Sequence, residues 1–232
     1  MQKVLFFNGQ SPKLGDMFAA AAPEGFAALV YPSTLPAADK LAAIREADFL
    51  VLHPAEVERE ALAAGGKLKL IQLLSAGYDK IDLPLAAKLG VPVATNGGAN
   101  AISVAEHAVA LLLALYKRLL QCDASVRAGT WREPVDGFNS YEVAGKTVGI
   151  LGAGNIGGKV ARRLAGFEAE ILYCNPTPSP ALENELGARR ATLDEVLRNA
   201  DIISLHMPLL PDTRSLLGPA QSSDGRDTRS AW

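Results

Sequence analysis

Thr147-Val148-Gly149-Ile150-Leu151-Gly152-Ala153-Gly154-Asn155-Ile156-Gly157 is the stretch that decides how this chain is read. Glycines are common, so a G-x-G-x-x-G spacing alone says little. Here it follows an apolar strand pattern at 147–151 and opens an amphipathic helical pattern at 156–165, the context that makes it a dinucleotide fingerprint. Gly152 is expected to allow the tight turn, Gly154 to let the backbone approach a pyrophosphate, and Gly157 to let helix and strand pack closely. The unpaired N–H groups at the helix start, those of Asn155 and Ile156 included, would then meet the anion where the helix dipole favours it. The alternative is a strand–turn–helix with no ligand.

Downstream, the helix at 156–165 is expected to stop at Gly166, followed by a strand at 170–174 and a short strand near 188–191. A helix at 193–199 and a strand at 201–206 complete the pattern. Dinucleotide units place an acidic residue at the end of the second strand to bond the adenosine ribose. Asn175 stands there instead; it can bond a ribose hydroxyl but does not repel a 2′-phosphate. No arginine follows directly in residues 176–180, and Arg189 and Arg190 come later, at a reach that sequence cannot judge. The cofactor expected is NAD or NADP, with a lean to NAD. From 218 to 232 the chain is polar and unperiodic, and a disordered tail is expected.

Upstream, residues 1–95 alternate strand patterns (3–7, 26–30, 48–52, 69–74, 91–95) with helical ones such as 35–46 and 83–89, the latter ending at Gly90. Largely apolar strands alternating with helices indicate a parallel sheet covered on both faces. The turn-rich 96–100 leads into a long buried helix at about 101–120. Ser103-Val104-Ala105-Glu106 fits a capping box, which makes Glu106 a helix cap before it is a catalytic group, and His107 reads as a packed histidine. Residues 121–143 lack periodicity and look like an extended arm.

Composition narrows the classes. Hydrophobic residues at 49% of 232 suit a globular protein, and 23 basic against 25 acidic side chains, without a basic cluster, argue against nucleic-acid or anionic-membrane partners. The longest apolar stretch, 108–116, is about half of the roughly 20 residues a bilayer span needs. Cys122 and Cys174 read as reduced core fillers, and a cytoplasmic location is expected. No metal site is expected.

Four stretches together resemble the D-isomer-specific 2-hydroxyacid dehydrogenases. They are Leu74-Ser75-Ala76-Gly77-Tyr78-Asp79-Lys80-Ile81-Asp82, Asn100-Ala101-Ile102-Ser103-Val104-Ala105-Glu106-His107, the glycine turn with its strand from Gly145, and Ala200-Asp201-Ile202-Ile203-Ser204-Leu205-His206-Met207-Pro208-Leu209-Leu210-Pro211-Asp212-Thr213. The resemblance implies an α/β protein: a flavodoxin-like substrate domain at 1–98, interrupted by a Rossmann dinucleotide domain at 99–217. It implies that the N–H groups of Ala76 and Gly77 hold a substrate carboxylate and that Asn100 faces the substrate. Gly152, Gly154, Asn155, Ile156, Gly157, Asn175, His206, Met207 and Pro208 would contact the cofactor. Each has a plainer reading: a strand-end turn at 75–78, a helix cap at Asn100, a strand-end residue at His206. The activity implied is hydride transfer between nicotinamide and a small 2-hydroxy or 2-keto acid, in a homodimer paired near 101–143.

Members of that family carry a catalytic arginine after the next strand, then a glutamate and a histidine. No stretch of this sequence matches those segments, and Arg226 and Arg229 lie in the polar tail without a strand before them. About four of roughly six parallel strands are accounted for, which leaves strand 201–206 with an exposed edge. The expectation is therefore a C-terminally truncated member with an incomplete Rossmann domain and no catalytic residues of its own. The alternatives are a non-catalytic dinucleotide-binding module and a poorly folded fragment.

Overall fold

The computed structural model describes residues 1–9, 11–53, 56–131 and 139–218. The tail at 219–232 and the centre of the arm, 132–138, lie outside the described residues, as do Arg226 and Arg229. The chain divides into two compact units, Met1–Ala99 and Asn100–Trp232.

In the first unit, five strands alternate with four helices. They run β1 (Gln2–Asn8), α1 (Pro12–Ala20), β2 (Phe26–Pro32), α2 (Ala37–Arg45), β3 (Phe49–His53), α3 (Arg59–Ala63), β4 (Leu70–Leu73), α4 (Leu83–Lys88) and β5 (Val93–Ala94). All pairings are parallel and the sheet order is β2-β1-β3-β4-β5, the flavodoxin-like order implied by the resemblance. The period of two along β1 divides its residues between two cores. Leu5 and Phe7 join Leu50, Leu52, Ile71 and Leu73 against Ile44, Leu62 and Leu85 of α2, α3 and α4. Phe6 points to the other face and packs on Phe18 of α1, ring centroids 4.6 Å apart. Each such fully buried side chain contributes roughly 1.5–3 kcal/mol, so a strand buried on both faces outweighs local propensity. Asp82 caps α4 by accepting from Leu85 N–H at 2.9 Å, and Gly90 follows that helix with left-handed backbone, as expected.

The second unit comprises α5 (Ala101–Tyr116), α6 (Leu119–Arg127), β6 (Thr147–Leu151), α7 (Gly157–Ala165), β7 (Glu170–Cys174), α8 (Pro180–Leu186), β8 (Arg189–Arg190), α9 (Leu193–Asn199) and β9 (Ile202–Leu205). Its parallel sheet has the order β8-β7-β6-β9. Strand order therefore reverses between β6 and β9, the switch point beside which open α/β sheets bind ligands. Val148 and Ile150 of β6 face α5 and α7 through Ala105, Val109, Leu112, Val160, Ala161 and Leu164. Leu151 faces α9 with Val196 and Ala200. Among the described residues β9 pairs with β6 alone. No described helix is long and apolar enough to cross a membrane.

Several expectations are corrected here. The helix expected at 101–120 breaks after Tyr116, where Arg118 adopts left-handed backbone, and α6 then occupies part of the stretch taken for an arm. The Ser103–Glu106 capping box does not form. Burial of Ala101 and Ala105 starts the helix two residues before Ser103, and Glu106 instead pairs with Arg163 of α7 at 2.9 Å. His107 is exposed rather than packed, and only the stripe Ala101–Ala105–Val109–Leu112–Tyr116 of α5 is buried. The stop at Gly166 is as expected: α7 ends at Ala165 with Gly166 as its C-cap in right-handed backbone, and Glu168 just beyond has positive φ. Both cysteines are free thiols and half-buried; Cys174 packs against the core around Leu151 and Leu172.

Candidate functional site

The glycine turn is shaped by what surrounds each glycine. Gly152 has φ +93°, a conformation open to glycine at no steric cost. A Cβ there would lie 2.8 Å from the carbonyl carbon of His206 and 2.9 Å from Met207 N, because the turn is pressed against the loop leaving β9. Gly157 is closed from the other side, where a Cβ would meet Gly152 O at 2.0 Å. Gly154 between them is exposed, and a Cβ there would meet no atom within 4 Å. Two glycines thus serve packing and the third keeps a surface open.

That open surface is lined by donors. Gly152 N–H donates to Cys174 O at 2.9 Å and Ala153 N–H to Asn175 Oδ1 at 3.1 Å. The N–H groups of Gly154, Asn155 and Ile156 find no acceptor among the described residues, and α7 has no side-chain cap. Three unpaired donors at the positive end of a nine-residue helix suit a pyrophosphate. A dinucleotide therefore fits the residues present, with an uncluttered approach over Gly154.

Asn175 directly follows β7 as the sequence indicates, but its side chain is partly committed: Oδ1 accepts from Ala153 and Nδ2 donates to Thr177 O at 3.0 Å. Arg190, which the spacing could not place, returns to this point and donates from Nη2 to Pro176 O at 2.7 Å. Tyr173, fully buried, supports the same loop by accepting from Ser179 N–H at 2.8 Å and donating to Glu183. Burial, then the Glu183 carboxylate, pushes the Tyr173 phenol up, so the hydroxyl stays protonated. Neither Tyr173 nor Thr177 was picked out by the sequence, since an apolar strand tyrosine and a loop threonine carry no motif.

The loop at His206–Pro208 completes the turn's surroundings. His206 N–H donates to Leu151 O at 2.7 Å, Nε2 lies 2.8 Å from Ser204 Oγ, and Thr213 Oγ1 donates to Pro208 O at 2.6 Å. Burial pushes the His206 imidazole below 6.5, so it stays neutral in the folded protein. The unfolded chain takes up that proton first; the contribution is intact above about pH 6.5 and is lost as pH falls through the folded value. His206→Gln should flatten the fall in melting temperature between about pH 7 and pH 5. An unchanged slope in a pH series of thermal melts would remove His206 as a source of acid sensitivity.

In the first unit, Ala76 and Gly77 lie in the exposed turn after β4, at the carboxyl end of the sheet. Ser75 Oγ donates to Gly77 O at 2.8 Å, while the N–H groups of Ala76 and Gly77 find no acceptor among the described residues. The turn borders a cavity of about 170 Å³ lined by Leu52, Leu73, Tyr78 and Ile81 among others. Lys80 beside it pairs with Glu56 at 2.9 Å, which raises its pKa. Asn100 is the N-cap residue of α5, yet its side chain makes no cap bond and is exposed. Among the described residues no three metal-ligating side chains cluster.

Residues 109–224 match the model of the D-isomer specific 2-hydroxyacid dehydrogenase NAD binding domain. A D-3-phosphoglycerate dehydrogenase of Mycobacterium tuberculosis is 42% identical over 184 residues, covering 78% of this chain and 34% of that protein. A glyoxylate reductase of Thermococcus litoralis is 38% identical over 193 residues, covering 81% of this chain and 58% of the relative. The chain thus spans about a third to somewhat over half of the length of these relatives. Among solved structures, the NAD-dependent formate dehydrogenase of Staphylococcus aureus in complex with NAD superposes with a TM-score of 0.80 at 26% identity, over 97% of this chain and 71% of that one.

Proposed function

The chain belongs to the D-isomer-specific 2-hydroxyacid dehydrogenase family, and from that premise we propose that it binds NAD(P) between β6 and α7 as part of an oxidoreductase site. The N–H groups of Gly154, Asn155 and Ile156 hold the pyrophosphate, Gly152 and Gly157 shape the turn, and Asn175 meets the adenosine ribose. His206, Met207 and Pro208 border the cofactor on the β9 side. Ala76 and Gly77 hold a substrate carboxylate, and Asn100 is a substrate contact. When bound, nicotinamide would exchange a hydride with C2 of a small 2-hydroxy or 2-keto acid, the hydroxyl proton leaving or arriving separately, so that the two acids interconvert. The observation that carries this reading is the environment of Gly154: an open surface with three unpaired donors, between two glycines closed by backbone.

Turnover by this chain alone is not part of the proposal. His206, the histidine beside the glycine turn, has its ring bonded to Ser204, and Glu106 is paired with Arg163. The described residues offer no match to the family's catalytic arginine, glutamate and histidine. What the described residues support is a dinucleotide-binding unit of such an enzyme. Pairing of two copies through α5 and α6 is supported by exposed apolar side chains, with Leu119 56% and Leu120 77% exposed. A cytoplasmic location is supported by the two free thiols.

Titration of the chain with NADH and NADPH, followed by nicotinamide fluorescence, should show saturable binding, and light scattering on the same sample should show a dimer. Addition of glyoxylate, hydroxypyruvate or pyruvate should leave the signal unchanged. Oxidation of the cofactor would show that residues read as structural supply the chemistry. A folded chain that binds neither nucleotide would remove the dinucleotide site, and a monomer would remove the pairing.

A further inference from the structure

Arg190 sits where the identity of the cofactor is decided. On β8 it is in register with Tyr173 of β7, and its guanidinium reaches beyond the end of that strand. Nε and Nη2 donate to Asn175 O at 3.2 and 3.1 Å, and Nη2 also donates to Pro176 O at 2.7 Å. One edge of the planar group is thereby fixed to the loop, while the Nη1 donors find no acceptor among the described residues. Arg190 is exposed, and no described carboxylate pairs with it; Glu183 is bonded to the Tyr173 hydroxyl instead. A guanidinium held by backbone carbonyls and lacking a counter-ion is a preorganised phosphate group partner.

Two neighbours add to this. Asn175 stands where a carboxylate would repel a phosphate, and it is neutral. Its amide nitrogen reaches Thr177 Oγ1 at 3.3 Å, so that oxygen accepts and its own proton remains available to a further acceptor. In a sheet ordered β8-β7-β6-β9 the adenosine ribose lies at the carboxyl end of β7, next to the strand that leads into the glycine turn. Its 2′ position therefore falls beside Asn175, Thr177 and Arg190.

We infer that Arg190, with Thr177 and the neutral Asn175, receives the 2′-phosphate of NADP(H), so that this chain binds NADPH more tightly than NADH. The inference rests on the dinucleotide site proposed above. It reverses the lean to NAD, whose ground was that no arginine directly follows Asn175; the arginine arrives from the neighbouring strand instead.

The test is a set of fluorescence titrations of the intact chain with NADPH and NADH at low salt, with adenosine 2′,5′-bisphosphate as a competitor lacking nicotinamide. The parent should bind NADPH about tenfold more tightly than NADH, the size of one charge-assisted contact. Arg190→Gln should weaken NADPH and the bisphosphate about tenfold while changing NADH less than about twofold. Asn175→Asp keeps an acceptor for Ala153 N–H but adds a charge, and should weaken NADPH and strengthen NADH. Equal weakening of both nucleotides by Arg190→Gln would make Arg190 a clamp of the loop and overturn the inference, as would a parent that prefers NADH. Failure of a folded chain to bind either nucleotide would instead overturn the site on which the inference rests.

Discussion

Gly157→Ala is expected to lower the stability of the second unit by about 3 kcal/mol, roughly a 10 °C fall in melting temperature. The added methyl would stand 2.0 Å from Gly152 O and 3.1 Å from Ile150 Cγ2. The turn cannot retreat. Gly152 N–H is bonded to Cys174 O, and the other side of the turn lies against the His206 carbonyl. Relief would come only by lifting α7, and with it Val160, Ala161 and Leu164, off the sheet. Gly158 is the internal control. A Cβ there meets only ordinary contacts, at 3.9 and 4.0 Å, so Gly158→Ala should be neutral or stabilise by about 0.5–1 kcal/mol through helix propensity. Thermal melts of the two variants decide the matter: equal melting temperatures would mean that the turn is not packed as described.

Gly154→Val is expected to leave the fold intact and remove most dinucleotide binding. No atom lies within 4 Å of the added Cβ and the backbone there is not left-handed, so the melting temperature should stay near that of the parent. The branched side chain would occupy the approach to the N–H groups of Gly154, Asn155 and Ile156. Losing charge-assisted bonds to a pyrophosphate costs about 1.5–3 kcal/mol each, so affinity for NADH should fall about a hundredfold. Parent-like affinity in a calorimetric titration would place the pyrophosphate elsewhere. The pair separates two tasks that one motif combines, packing at Gly157 and the proposed ligand approach at Gly154.

Their different expected sensitivities also bear on what the four described strands of the second unit can do. The proposed binding surface draws on β6, the start of α7, the end of β7 and the loop after β9, all within the described residues. Nothing in that surface requires a fifth strand. Binding can accordingly be measured on the chain as it stands, independently of the residues that would carry out hydride transfer.

Much of this was legible in the sequence because it is local. The period of two in β1 and β6, the strand-before and helix-after context of the glycines, and Gly90 at the end of α4 each depend on neighbours a few residues away. The parallel sheets followed from strand–helix alternation. Where local signals competed, only packing could choose. Ser103–Glu106 and Thr192–Glu195 carry the same capping pattern, yet the box forms only at Thr192, because burial of Ala101 and Ala105 places Ser103 inside its helix. The contacts that make the candidate site were likewise out of reach. Gly152 against His206 and Arg190 against Asn175 join residues that meet only when the strands are set side by side in the order β8-β7-β6-β9. The sequence by itself determined most of the strands, several of the helices and which turn could take a dinucleotide, since those follow from short-range sterics and periodicity; the break after Tyr116 and helix α6 did not follow from it. The surroundings of Arg190, on which the proposed nucleotide preference rests, came only with the tertiary structure, since a charge acts through space and its neighbours are set by the sheet.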